Sequence, residues 1–299
     1  MVTPSFLKIG DTVGIVSTAR KITSLELQPF LSLLERWGLN YVQGKTINAQ
    51  DCQFAGDDSL RANDFQEMMD DSEIKAIWCA RGGYGTVRII DRLDFSTFRK
   101  KPKWIIGYSD VTALHSHIHQ FRIETLHANM AIEMDTKTSA TRDTIKEALF
   151  GNNYEIRISS KGNELNKKGK AKAPLVGGNL SLLYSLIGSP SELKTDGKIL
   201  FIEDLDEMLY HVDRMVQNLK RNGLLKNIVG LVVGGMSDMR DNTIPYGKSA
   251  MEIVLEAVSE YDYPVCFNFP AGHIQDNRAL IMGRTIFMEV MSSEVTLRF

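Results

Sequence analysis

The chain has 299 residues, 43% of them apolar and 24% charged, so it can bury a sizeable core and lacks the composition of a disordered protein. Its 35 Lys and Arg against 37 Asp and Glu exclude the global basic field that draws a protein to nucleic acid or an anionic membrane. A small-molecule partner is expected instead, and the length points to two domains.

The first half alternates β-rich runs with amphipathic stretches. Thr12–Thr18 is predicted as a strand, Ser24–Trp37 as a helix closed by Gly38, Ala76–Ala80 as a strand and Tyr84–Leu93 as a helix. Trp104–Tyr108 and Val111–Gln120 repeat the unit. Such alternation predicts βαβ units and a parallel sheet, with ligands gathering beyond the carboxyl ends of the strands. Near Tyr154 the pattern breaks, and the polar, basic run Lys161–Lys172 reads as a solvated connector. The expected organisation is therefore an N-terminal domain over 1–152, a linker over 153–172 and a C-terminal domain over 173–299.

The second half opens with a helix capped by Asn179 and ending at Gly188, followed by strand Ile199–Ile202, helix Glu207–Asn222, strand Ile228–Val233 and helix Gly247–Tyr261. It closes with four β-rich runs, Val265–Phe269, Ala279–Met282, Thr285–Met291 and Val295–Phe299, which make it a mixed domain. Cys52, Cys79 and Cys266 are odd in number and widely spaced, so neither a disulfide framework nor a zinc site is expected. The N-terminus lacks a basic segment followed by an apolar one, and the longest uncharged stretch, Ala173–Ser191, is broken by Pro and Gly. A cytoplasmic protein with no membrane contact follows as the expectation.

Trp104-Ile-Ile-Gly-Tyr-Ser-Asp-Val111 delivers the Ser109 hydroxyl from an apolar strand directly into a helical segment. A serine at such a turn projects past the sheet, and the next N–H, of Asp110, points at a developing oxyanion. Without that context a serine there is more often an N-cap. A nucleophilic serine needs a base and a group to orient it. His115, His117 and His119 start too far along the following helix, about 9 Å at the usual rise per residue. His211 falls in a buried helix pattern, which leaves His127 and His273, and the polar loop Pro270–Asn277 favours His273. Glu203 is the first polar residue after an apolar strand, the position of an active-site carboxylate in an α/β protein. Arg81-Gly-Gly-Tyr-Gly85 follows a strand, so Gly83 can supply a second oxyanion donor. The same loop is the basis of an alternative, a non-hydrolytic nucleotide-binding module, but it lacks the third glycine of a dinucleotide fingerprint and any Walker lysine. His115 and His119 share a helix face, but Ser116 stands where a zincin carries glutamate, so no metal or other cofactor is expected.

With its opening Gly10-Asp-Thr-Val-Gly-Ile-Val-Ser17, Ala80–Gly85, Gly107-Tyr-Ser-Asp110, Gly177-Gly-Asn-Leu-Ser-Leu-Leu183, Ile202-Glu-Asp204 and Pro270-Ala-Gly-His273, the chain resembles the LD-carboxypeptidases of peptidase family S66 nearly end to end. The resemblance implies a flavodoxin-like, doubly wound parallel N-terminal domain and a mixed, swivelling β/α C-terminal domain, with the site between them. It implies Ser109 as nucleophile, Glu203 and His273 as its partners, and Gly83 and Asp110 as backbone oxyanion donors. It further implies a murein tetrapeptide substrate losing its terminal D-alanine in cell-wall recycling, and a homodimer. The alternative within the family is a microcin-immunity-type peptidase acting on aminoacyl-nucleotide conjugates. Arg81, Tyr84, Asn179 and Arg278 are candidates for contacting substrate, with Arg81 or Arg278 taking its carboxylate. One departure stands out: many relatives carry a His-Gly-Pro-Met-like segment where this chain has His127-Ala-Asn-Met130.

Overall fold

Continuous apolar runs such as Trp104–Gly107, buried at every position, cannot serve a sheet with one wet face, and they become central parallel strands covered on both sides. The computed structural model describes all 299 residues. Strands β1 (Thr12–Val16), β2 (Asn40–Gln43), β3 (Ile74–Cys79), β4 (Trp104–Gly107) and β5 (Thr125–His127) form a parallel sheet in the order β2-β1-β3-β4-β5. This is the flavodoxin-like order, and its switch point, where ligands collect, lies between the carboxyl ends of β1 and β3.

The second sheet contains β6 (Glu155–Ser159), β7 (Gly169–Asn179), β8 (Ile199–Leu205), β9 (Gly230–Ser237) and β10 (Val265–Cys266). β11 (Leu280–Met282) leaves it to pair antiparallel with β5, Leu280 opposite His127, while β12 (Thr285–Val290) and β13 (Glu294–Arg298) return. The second sheet runs β10-β9-β8-β7-β12-β13-β6, with β7 to β10 parallel and the rest antiparallel. The loop between β10 and β11 therefore spans from one sheet to the other. One continuous core joins them, from Trp78 and Leu126 through Leu280 to Leu175 and Phe201.

Several elements differ from expectation. The basic run is a connector only as far as Lys168: β6 already occupies Glu155–Ser159, and Lys170 and Lys172 are exposed positions of β7, alternating with Ala171 and Ala173, which are buried. Its period of two is that of a strand whose outer face is charged. Ala279–Met282 belongs with the first sheet, not the C-terminal one. The Tyr84–Leu93 helix starts only at Thr86 because Gly85 has φ +153°. The helix expected from Gly247 starts at Ala250, where Ser249 and Glu252 form a reciprocal capping box. The Asp58–Asp70 helix was invisible as an apolar pattern because its buried face includes Arg61 and Asp64. No helix is long and apolar enough to cross a membrane.

Candidate active site

β4 ends in Gly107, Tyr108 is extended, and Ser109 turns to φ +61°, a left-handed conformation that costs a side-chain-bearing residue about 1–2 kcal/mol. The surrounding loops leave the turn no slack. A Cβ on Gly82 would lie 3.3 Å from Ser109 Cβ, so the Arg81–Gly85 loop packs directly on the serine. Neither Tyr108 nor Val111, the residues that cap the two helical segments here, makes a side-chain cap, and Ser109 Oγ caps no helix N–H. The hydroxyl is thus unspent, in a strained turn, at the carboxyl end of a central strand. The N–H groups of Gly83 and Asp110 donate to no protein acceptor.

The Asp110 side chain does different work from its backbone. It is buried and accepts from Thr86 N at 2.8 Å, tying the serine turn to the end of the glycine loop. Burial pushes its carboxyl above the usual range against those hydrogen bonds and the charge of Arg61. Arg61, fully covered, donates to Thr18 O at 2.7 Å and Gly85 O at 3.0 Å and braces the loop from the other side. Sequence reading missed Arg61, because a buried arginine on a helix has no local signature.

Glu203 follows the apolar run of β8 and is completely buried. Its Oε2 accepts from His273 Nδ1 at 2.7 Å and from His273 N at 3.1 Å. Burial opposes its charge, but the His273 charge and hydrogen bonds outweigh burial and hold the carboxyl below its usual range. Burial likewise opposes the His273 charge, and Glu203 overcomes it, so the imidazole is raised above its usual value. An ionised Glu203 can only accept, which makes Nδ1 the donor and leaves Nε2 as the basic lone pair. The loop holding His273 is anchored by Gly272 N to Asn277 Oδ1 at 2.8 Å and by Ser237 Oγ to His273 O at 2.7 Å. A Cβ on Gly272, whose φ is +106°, would come within 2.6 Å of Glu203 Oε2. Gly272→Ala is therefore expected to displace the carboxylate and lower kcat on the order of 100-fold, the effect of about a 1 Å misplacement. Turnover kinetics beside thermal unfolding check this; unchanged kcat would detach Glu203 from the chemistry.

The two halves of the site are locked together beside the serine. Asn179 N donates to Thr112 Oγ1 at 3.0 Å, Asn179 lies opposite Glu203 in the β7–β8 register, and a Cβ on Gly178 would strike Thr112 Oγ1 at 2.5 Å. His273 leans on Tyr108, the residue before Ser109, with ring centroids 4.7 Å apart, and no hydrogen bond yet joins it to Ser109 Oγ. Catalytic hydrogen bonds often tighten only with substrate bound.

The remaining candidates separate clearly. His127 is fully buried between Tyr108 and Phe201, with ring centroids 5.8 and 4.9 Å away, and both its nitrogens lack partners. Burial, opposed by the charge of Glu203, pushes it down to about 4, so it is neutral and facing rings. His127→Phe, nearly volume-conserving, is expected to keep activity within about tenfold. A loss as large as that from removing His273 would make His127 the base. His115 is bonded to Gly107 O at 2.9 Å, and His119 lies 3.3 Å from Thr125 Oγ1. Asn179 donates to Asp204 at 2.9 Å and caps Leu182 N, so its side chain already has structural partners. Arg278 is paired with Asp276 at 3.0 Å, and Arg81 bonds Lys21 O at 3.2 Å and Glu26 at 3.4 Å. Tyr84 is half exposed at the rim, 6.3 Å from the Phe54 ring. A cavity of about 680 Å³ lined by Lys75, Lys100, Lys101 and Lys103 lies at the amino ends of β3 and β4, the wrong end of the sheet for this site.

Residues 13–128 match the LD-carboxypeptidase N-terminal domain and residues 172–288 the LD-carboxypeptidase C-terminal domain. The probable murein peptide carboxypeptidase of Bacillus subtilis is 39% identical over 292 residues, covering 94% of this chain and 89% of its own length. The microcin C7 self-immunity protein MccF of Escherichia coli is 24% identical, with 97% of this chain and 94% of its own covered. The crystal structure of muramoyltetrapeptide carboxypeptidase from Oxalobacter formigenes superposes with a TM-score of 0.87 at 24% identity, over 96% of this chain and 98% of that one, a likeness of fold. With both halves matched in order and a relative at 39% identity along most of the chain, this protein belongs to the LD-carboxypeptidases of peptidase family S66.

Proposed function

We propose that the protein is a serine carboxypeptidase that hydrolyses an L,D-peptide bond and releases terminal D-alanine from a murein tetrapeptide during cell-wall recycling. The observation that carries this reading is the buried Glu203–His273 pair, 2.7 Å apart, held against the Tyr108–Ser109 turn. The proposed nucleophile follows a strand of the first sheet, and its partners lie on a strand of the second sheet and in the loop between β10 and β11. Ser109 Oγ attacks the carbonyl carbon of the scissile amide while His273 Nε2 takes its proton, and Glu203 orients the imidazole and stabilises its charged form. The Gly83 and Asp110 N–H groups hold the oxyanion; losing one such donor costs about 10²–10³ in kcat. Collapse of the intermediate breaks the C–N bond, and His273 returns the proton to the departing amine of D-alanine. Water then attacks the acyl-enzyme, giving its proton to His273, which passes it back to Ser109 Oγ as the shortened peptide leaves as a carboxylate. No step requires a metal or cofactor. The murein names of relatives support the substrate class; a cytoplasmic site of action and a homodimer belong to the same proposal and rest on the family resemblance alone.

The test is incubation of purified protein with murein tetrapeptide, mass-spectrometric detection of D-alanine and of the shortened peptide, and mapping of a fluorophosphonate adduct. D-Alanine release with the adduct on Ser109 is expected. Cleavage of an aminoacyl-nucleotide conjugate but not the peptide would replace the substrate, and tight nucleotide binding without any hydrolysis would sink the peptidase reading.

A further inference from the structure

Carboxypeptidase action requires a fixed positive charge near the nucleophile to recognise the free carboxylate, and both arginines expected for that task have other partners. Arg20 does not. It lies in the segment after β1, at the β1/β3 switch point of the first sheet, and its backbone is tied down: Arg20 N donates to Gly82 O at 3.3 Å, and Arg20 O accepts from Ser17 Oγ at 2.5 Å. Its side chain is exposed and crosses the face of Gly83, where a Cβ would meet its Cδ and Cγ at 2.7 Å and Nε at 2.8 Å. Gly83 adjoins Gly82, which packs on Ser109. The guanidinium has no salt bridge and no hydrogen bond to the protein, whereas the nearby Arg61 and Arg88 share the Asp58 carboxylate. A cation whose stem lies against Gly83 and whose fork is unpaired, beside the proposed oxyanion donor, is placed for an anionic ligand group.

We propose that Arg20 is the specificity-determining residue that binds the substrate's terminal carboxylate, one residue beyond the scissile bond. The assignment rests on the peptidase reading above. It also explains Gly83 in a second way: any side chain there would push the Arg20 stem away as well as strain the φ of +113°. On the opposite side, Lys137 donates to Ile274 O at 3.0 Å beside His273, and burial lowers its pKa. It is the rival on the base side.

The experiment compares an L,D-peptide ending in free D-alanine with the same peptide ending in D-alanine amide, in wild type, Arg20→Gln, Arg20→Lys and Lys137→Gln. Arg20→Gln is expected to lower kcat/KM for the free acid roughly 10- to 100-fold, the scale of one charge-assisted hydrogen bond, chiefly through KM. The amide should be unaffected, so the preference for the free acid collapses, and Arg20→Lys should restore part of it. Equal losses on both peptides, no loss, or a collapse of preference in Lys137→Gln instead would overturn the assignment. A second readout is protection of Ser109 from a fluorophosphonate by acetyl-D-alanine but not its amide, present in wild type and absent in Arg20→Gln. If wild type cleaves neither peptide, the peptidase reading fails by itself, and carboxylate-selective protection decides on Arg20: present and Arg20-dependent supports it, absent overturns it.

Discussion

Ser109→Ala is expected to cut kcat by about 10⁶-fold, because a serine nucleophile and its base act as a unit and removing either removes covalent catalysis. Binding should survive, since the proposed oxyanion donors are backbone groups and the hydroxyl makes no hydrogen bond that holds the fold. The strained turn adds a sharper expectation for a second variant. Ser109 has φ +61°, so Ser109→Gly relieves about 1–2 kcal/mol of left-handed strain, offset in part by the entropy a glycine adds to the unfolded chain. Ser109→Gly should therefore be as stable as wild type, or more so by about 1 kcal/mol, and inactive. Thermal unfolding and D-alanine release on the two variants check both statements. If Ser109→Gly were strongly destabilised, the hydroxyl would be a structural cap after all; if Ser109→Ala turned over normally, the nucleophile would lie elsewhere.

Glu203→Gln is expected to lower kcat/KM by about 10⁴-fold with little change in overall structure, the size of effect seen when an orienting carboxylate becomes an amide and the wrong imidazole tautomer is favoured. The pH profile should move too. As the proposed base His273 must be neutral, so the acid limb of kcat/KM is expected to follow the His273 pKa in the free enzyme. In the wild type Glu203 overcomes burial and holds that pKa above the ordinary histidine value, so the limb lies above the usual position. Removing the carboxylate charge leaves burial in command, so the limb should shift to lower pH even as the rate collapses. A rate loss with an unmoved limb would mean that Glu203 acts on the fold of the His273 loop and not on the imidazole. His127 offers an internal comparison, since burial already holds it at about 4 and its loss should leave the limb in place.

Much of this site could be read from residues in isolation. The Ser109 turn has a local cause: an apolar strand followed at once by a helix start, with glycine before it. Glu203 showed itself as the first polar residue after an apolar run, and His273 as the histidine in a polar loop between strands. Their 2.7 Å hydrogen bond was not legible, because it depends on β8 and the β10–β11 loop being adjacent, which no local preference encodes. The choice among the arginines was not legible for a related reason. Arg20, Arg81 and Arg278 look alike as residues; Asp276 is a sequence neighbour of Arg278, but only the fold brings Glu26 to Arg81 and leaves Arg20 without a partner.

The fold divides along the same line. Helix starts at Thr23, Asn179 and Ser249, and the glycine-dependent turns, follow from chemistry within a few residues and were set by the sequence alone. The buried runs of β4 and β8 likewise announce a covered parallel sheet. Tertiary structure decided that Leu280–Met282 pairs with β5, that Lys170 and Lys172 belong to a strand, and that Gly178 meets Thr112 beside the Ser109 turn. Local elements obey short-range sterics and hydrogen bonding, which sequence neighbours specify. Partner choice between distant strands, and the pairing or freedom of a charge, is settled by burial and Coulomb terms summed over residues far apart in the chain.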